Sequence, residues 1–250
     1  MRPLILFPPL LFVTACSASA DNADTPSGAS GARDFAAAGF DAVSLRGPDN
    51  VVVKVGGAAS VRAVGDQKIL DKLEIEVVDG TLRVGRKKKD RMMHWGREDK
   101  DSVTVTVTLP ALKAASVAGS GNLGVDTISG KSFDGAIAGS GNLSIAVLAV
   151  DKADLSIAGS GNARIAGGNA NALDVSIAGS GDLDAAALAA RTADISIAGS
   201  GGVRAGVSDS ADISILGSGG VDIIGNAKCA ISKMGSGDVR CTPTATAAPE

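Results

Sequence analysis

Apolar and polar residues alternate along most of this chain, and over residues 114–242 the alternation repeats as a unit. Two and four positions ahead of four successive Gly-Ser-Gly tripeptides the residues are apolar: Leu155 and Ile157, Val175 and Ile177, Ile195 and Ile197, Ile213 and Ile215. Ser156, Ser176, Ser196 and Ser214 lie between those pairs, and Asp154, Asp174, Asp194 and Asp212 precede them. After the tripeptide the alternation resumes at Leu143 and Ile145, Ala163 and Ile165, Leu183 and Ala185, and Val203 and Ala205. A period of two marks strands with one buried face. Helix is excluded, because two or more glycines per unit would each cost about 1 kcal/mol there and the apolar spacing is not 3.6. Each unit therefore reads as strand, tight glycine corner, strand, loop.

The tripeptide begins at Gly119, Gly139, Gly159, Gly179, Gly199, Gly217 and Gly235, with four intervals of 20 residues followed by two of 18. Recurrence at such a period predicts one supersecondary unit stacked on itself. The expected fold is all-β, a parallel β-helix (β-solenoid) with about seven regular rungs spaced about 4.8 Å apart. Equal positions in successive rungs then form columns. Ile137, Ile157, Ile177, Ile197 and Ile215 form an inward aliphatic ladder, and Arg164, Asp184, Arg204, Asp222 and Arg240 form an outward column in which charge alternates. Such neighbours contribute about 0.2–1 kcal/mol each, enough to favour one register over a slipped one.

Two other columns carry less obvious chemistry. Asp134, Asp154, Asp174, Asp194 and Asp212 stack like charges. They read either as a row of cation sites or as corner caps accepting backbone N–H groups. Calcium's demand for six to eight oxygens favours the caps. The series Asn122, Asn142, Asn162, Asp182, which becomes Gly202 and Gly220 before Asp238, reads as residues tolerating a left-handed corner. A phosphate-binding loop is disfavoured, since no Lys-Ser/Thr follows the glycines and seven corners are equivalent.

Residues 34–113 lack the tripeptide but keep the alternation. Strands are predicted at Ala42–Leu45, Val51–Val55, Ser60–Val64, Leu73–Val78, Thr81–Val84 and Ser102–Leu109, with a hairpin or corner at Asp79-Gly80. This part reads as irregular coils capping the N-terminal end of the stack, with a separate small β-domain as the alternative. The stretch Arg86–Asp101 holds four consecutive cations, Arg86 to Lys89, and the chain's one His and one Trp, His94 and Trp95. Asp90, Glu98, Asp99 and Asp101 offset that charge, so a solvated insertion is favoured over an anion-binding loop.

At the other end, Lys233 enters the isoleucine column, which marks a capping rung. Cys229 and Cys241 lie six positions either side of Gly235 in inward columns. They predict a disulfide closing a tapered last rung, or else two separate buried thiols.

The first residues change the setting. Arg2, the apolar run Leu4–Val13 and the lipobox-like Val13-Thr14-Ala15-Cys16 read as an export signal over residues 1–15, with Cys16 lipidated. An ordinary cleaved signal is the alternative. Ser17 in place of Asp suggests the outer membrane, by a sorting rule taken from the resemblance to lipoproteins. Residues 16–33 read as a flexible tether, residues 34–242 as the solenoid and residues 243–250 as a disordered tail.

Composition sharpens the picture. Aromatics are 2% of 250 residues and Tyr is absent, so the core must be layers of Ala, Val, Ile and Leu, and a sugar groove of stacked rings is disfavoured. The net charge of −3 and the export signal argue against nucleic acid. No catalytic residue, metal site or cofactor is expected; a lone His in a charged stretch makes a Ser-His-Asp triad improbable.

The lipobox-like start, the lead-in with Gly65-Asp66 and Pro110-Ala111-Leu112, and the recurring Ile-Ala-Gly-Ser-Gly-Asn resemble the head-GIN domain family of autotransporter-type adhesins, a family of unknown function. The resemblance spans about residues 40–241. It implies a right-handed β-helix on an envelope protein with an adhesin role, and supplies no catalytic or binding residues. The reading is a non-catalytic cell-envelope lipoprotein, adhesin-like or structural, held to the membrane by its lipid and meeting an envelope glycan or protein. The alternatives are a polysaccharide-active β-helix enzyme, with Asp184, Arg204 and Asp222 as candidates, and a periplasmic scaffold assembling through exposed strands. The oligomeric state is left open.

Overall fold

The structure, a computed structural model, describes residues 29–87 and 102–242. Its first strands are β1 (Ser30–Phe35), β2 (Ala42–Arg46), β3 (Asn50–Val55) and β4 (Ser60–Asp66). A helix α1 (Gln67–Lys72) and strands β5 (Leu73–Val78), β6 (Thr81–Arg86) and β7 (Thr104–Leu109) follow. Strand β1 pairs antiparallel with β4, so the folded part begins inside the stretch expected to be tether. The reason is a long-range pairing: Ala32 and Asp34 find ladder partners in Val64 and Arg62, which composition does not reveal.

Space and sequence run in different orders here. Strands β2 and β3 are not the outermost layer: Val43 lies between Leu82 and Ala115, and Val51 between Val105 and Leu123. After β3 the chain leaves the first rung, builds a covering layer from β4 to β7, and returns on the far side of that rung. Asp79 and Gly80, at φ 50° and 72°, turn β5 back onto β6 as an antiparallel hairpin. Asp66 caps α1 by accepting from the Lys68 N–H at 2.7 Å, and α1 buries Ile69 and Leu70. The covering layer is clamped by Asp49, which is fully buried. It accepts from Arg86 Nε at 2.9 Å, Arg86 Nη2 at 2.7 Å and the Val103 N–H at 3.1 Å. Most of the charged insertion, with His94 and Trp95, lies outside the described residues.

The regular part comprises β8 (Ala114–Gly119), β9 (Asn122–Gly139), β10 (Asn142–Gly159), β11 (Asn162–Ile165), β12 (Gly168–Gly179) and β13 (Asp182–Gly199). It ends in β14 (Gly202–Gly217), β15 (Gly220–Ile224), β16 (Lys228–Met234) and β17 (Asp238–Thr242). These pair in parallel and in register, Ile137 with Ile157, Ile157 with Ile177, Ile177 with Ile197 and Ile197 with Ile215. The result is an all-β solenoid of about six turns, the seven tripeptides bounding the turns rather than each adding one.

Along β10 the alternation breaks at two places, where neighbours are both exposed: Ala146 with Val147 and Asp151 with Lys152. With the glycine corner these breaks divide a turn into three straight faces. The first carries Leu143 and Ile145 inward, the second Leu148 and Val150, and the third Ala153, Leu155 and Ile157, all buried. The shorter turns lose two residues from the second face, where Ala185 still meets Ala205 but Ala190 meets Val207.

The corner explains its own spelling. Gly139 sits at φ +121°, and its fellows from Gly119 to Gly235 lie between +121° and +137°, which no side-chain-bearing residue adopts cheaply. The N–H groups of Ser140 and Gly141 both donate to Gly119 O at 2.9 Å, and Ser160 and Gly161 do the same to Gly139 O. The third position needs glycine for space, since a Cβ on Gly161 would overlap the carbonyl oxygen of Gly141.

One irregularity in the core is compensated. Gly135 stands below Leu155, whose Cδ2 occupies the space a Cβ would take, and Phe133, fully buried, fills the column where the next turns carry Ala153 and Leu173.

Candidate functional site

Since the interior is filled with aliphatic side chains, chemistry can reside only on the outer faces. The first face carries two outward columns. One runs Asn50, Asn122, Asn142, Asn162, Asp182, Gly202, Gly220, Asp238, and the other Val52, Gly124, Ser144, Arg164, Asp184, Arg204, Asp222, Arg240.

The first column corrects an expectation. Its Asn residues do not adopt left-handed corners: among the described residues Asp79 alone is a non-glycine with positive φ, and the strain sits on the first glycine of each tripeptide. The amides instead form a ladder. Asn122 Nδ2 donates to Asn50 Oδ1 at 2.9 Å, Asn142 Nδ2 to Asn122 Oδ1 at 2.8 Å and Asn162 Nδ2 to Asn142 Oδ1 at 3.2 Å. The ladder finishes on backbone groups, the Asp182 N–H on Asn162 Oδ1 at 3.2 Å and the Gly202 N–H on Asp182 Oδ1 at 2.7 Å. An amide is both donor and acceptor, so stacking identical side chains at rung spacing satisfies each one.

The charge column is in register as expected, yet its charges couple two by two. Arg164 Nη1 meets Asp184 Oδ2 at 3.1 Å and Arg204 Nε meets Asp222 Oδ2 at 3.5 Å, while Arg240 turns to Asp238 of its own strand at 3.3 Å. These groups are 35–74% exposed, so each pair contributes little to stability. Where the Asn column gives way to Gly202 and Gly220, side chains vanish for two turns and a groove of about 400 Å³ opens. Asp182 and Asp238 close its ends, and Asp184, Arg204, Asp222 and Arg240 line it. The sequence contained this signal in the change from Asn to Gly, but reading those residues as corners hid it.

The third face carries Asp134, Asp154, Asp174, Asp194 and Asp212 in one column beside Ser156, Ser176, Ser196 and Ser214 in the next. The expectation that these carboxylates cap corners is not met: among the described residues no backbone N–H donates to them, because they stand on the strands beyond the corner. Two of them share Lys152, whose Nζ lies 2.8 Å from Asp174 and 3.2 Å from Asp154. The Asp174 hydrogen bond, then that of Asp154, holds the Lys152 ammonium above its ordinary value. The corresponding pair on the second corner is Arg191 with Asp209 at 3.0 Å. Asp209 is held below its ordinary value by Ser208 Oγ–H and then by Arg191. No group of three or more His, Cys, Asp or Glu side chains among the described residues converges as a metal site.

The last rung holds the cysteine pair. Cys229 and Cys241 are joined in a disulfide with Cα atoms 6.7 Å apart, so the rung tapers as the bond requires. Cys16 lies outside the described residues, as do residues 1–28 and the tail 243–250. Among the described residues no helix is long and apolar enough to cross a membrane.

Residues 39–227 match the model of the family described as "Putative auto-transporter adhesin, head GIN domain". The chain belongs to this family. The head GIN match spans the β2–β3 rung, its covering layer and the turns up to Ala227, and stops short of the disulfide-closed rung. Three solved structures share the fold. A "putative adhesin" from Bacteroides fragilis NCTC 9343 is 23% identical with a TM-score of 0.73, over 86% of this chain and 97% of that one. A "putative lipid binding protein" from Parabacteroides distasonis ATCC 8503 is 23% identical with a TM-score of 0.67, over the same shares. A "putative adhesin" from Parabacteroides merdae ATCC 43184 is 20% identical with a TM-score of 0.63, over 85% and 96%. None of the curated proteins compared with the chain matches it.

Proposed function

We propose that this head GIN protein is a non-catalytic adhesive element of the bacterial cell envelope, tethered to the outer membrane by a lipid on Cys16. It binds an envelope glycan or protein through the first face of its solenoid. The observation that carries the reading is the groove at Gly202 and Gly220, where half-exposed guanidinium and carboxylate groups of both signs surround a backbone floor. Polar groups spaced by the rung repeat suit a linear polar ligand better than a compact reactant. The charges there couple to each other in pairs, and that pairing accounts for their spacing without a reaction. The family and the adhesins sharing its fold support the same direction.

The test is a binding screen against envelope glycans and surface proteins with the soluble chain carrying Cys16→Ser. Binding to one component class, weakened about tenfold by Arg204→Ala as expected for a lost charged contact, supports the proposal. Turnover of a polyuronide that disappears with Asp184→Ala would replace it with the enzyme reading. For the anchor, labelled fatty acid should enter the wild-type chain and not Cys16→Ser.

A further inference from the structure

The last rung ends the stack in a way that the other turns make legible. In one early turn and in the last two, the N–H just after a tripeptide donates to the final glycine of the tripeptide before it, whereas Asn162, Asp182 and Gly202 donate to the side-chain oxygen of the residue below. Asn142 donates to Gly121 O at 3.1 Å, Gly220 to Gly201 O at 3.1 Å and Asp238 to Gly219 O at 3.2 Å. Gly237 O is the next acceptor in that series, the one a further rung would use. Lys233 Nζ donates to it at 2.9 Å.

Lys233 also occupies the inward column of Ile137, Ile157, Ile177, Ile197 and Ile215. Ile215, its partner in register on β14, is only 2% exposed beneath β16. Lys233 stands over it at that position of β16, and the ammonium reaches back to the corner. One side chain thus takes the isoleucine's place in the last rung, satisfies the next-rung acceptor and places a charge on the open end. Around it the end is apolar and strand-like: Ile231 is 50% exposed and Met234 72%, and β16 and β17 each pair on one edge alone among the described strands.

We infer that Lys233 is a stack terminator: it keeps the C-terminal end of the solenoid from pairing with the same end of a second copy of this chain. The opposite end is built differently, since β4 and β5 run antiparallel to the strands they pair with, so it does not present a matching parallel rung. Two C-terminal ends related by a two-fold axis are self-complementary, with β16 against β16 antiparallel. In that arrangement the two Lys233 ammonium groups face one another near the axis without water, which opposes association.

The experiment compares the full chain carrying Cys16→Ser with and without Lys233→Met, which keeps the stem and removes the charge. Sedimentation equilibrium from micromolar to millimolar concentration should show a monomer for the parent. Lys233→Met should self-associate about 100-fold more tightly, as the removal of facing like charges predicts. Amide hydrogen exchange should slow at β16 in the Lys233→Met sample as concentration rises, and Lys233→Arg should stay monomeric. A monomeric Lys233→Met of unchanged thermal stability would overturn the inference. So would a parent chain that already associates through β16, or association that leaves β16 exchange unchanged. Should Lys233→Met fail to fold, Lys233→Gln is measured in its place under the same criteria.

Discussion

The two ends of the solenoid meet the same physical demand by different means. Each terminal rung exposes one edge of backbone groups and one layer of apolar side chains. At the N-terminal end a whole excursion, β4 to β7 with α1, leaves the first rung and folds back over it, pinned by the buried Asp49–Arg86 pair. At the C-terminal end one rung closes on itself with a disulfide and ends on one lysine. The first solution buries polar groups and depends on their pairing; the second leaves the rung wet and depends on a covalent tie. A repeat protein whose turns contact only neighbours unravels from whichever end is weaker, so the contrast can be measured.

The largest expected effect is at the N-terminal end. Asp49→Ala removes the carboxylate that receives Arg86 and the Val103 N–H inside the protein, and breaking such a buried pair costs about 3–5 kcal/mol. Urea unfolding gives the size. Hydrogen exchange gives the place: β2, β3, β6 and β7 should lose protection while β12 and β13 keep theirs. Even loss along the whole rod would mean that the covering layer is not a separate closure.

Next in size is the other closure. Cys229→Ser with Cys241→Ser opens a loop of 12 residues, for which chain entropy alone predicts about 3 kcal/mol. The exchange change should be confined to β16 and β17 and leave the asparagine ladder protected. A destabilisation reaching β9 would show the two ends to be coupled through the stack, against the nearest-neighbour picture.

Between the ends runs the asparagine ladder, whose removal should cost less. Asn142→Ala deletes a donor to Asn122 and the acceptor for Asn162, on a half-exposed face, for about 1 kcal/mol in thermal unfolding. A cost equal to that of Asp49→Ala would make the exposed column, and not the buried clamp, the main tie of the N-terminal rung.

Much of this was legible beforehand, for reasons that particular residues display. Ile157, Ile177 and Ile197 announce an inward column because a period of two and a period of 20 reinforce each other, and a parallel in-register stack satisfies both. Lys233 and the cysteines announced the final rung because they interrupt a known column. The N-terminal layer resisted because nothing in local alternation says that β2 lies between β6 and β8; that order comes from long-range pairing. The Asn and Asp columns were found but misread, since side-chain ladders and corner caps use the same residue types. Only coordinates tell which backbone carries the positive φ and where Lys152 reaches.

The smallest effect belongs to pH, and it distinguishes the middle of the rod from its ends. Lys152 has its protonated form favoured by Asp174 and Asp154, so its contribution is whole below 10.5 and fades as pH rises through its raised folded value. Asp209 has its ionised form favoured by Ser208 and Arg191; its contribution is whole above 3.8 and is lost as pH falls through its lowered folded value. Both pairs stand on the outer surface in water, so each shift in melting temperature should be slight and should shrink further in high salt. Lys152→Met should abolish the alkaline part alone and Asp209→Asn the acid part alone. If either variant instead removed a large share of stability at neutral pH, the middle turns would depend on their charged corners as the N-terminal rung depends on Asp49, and the contrast between ends and middle would fall.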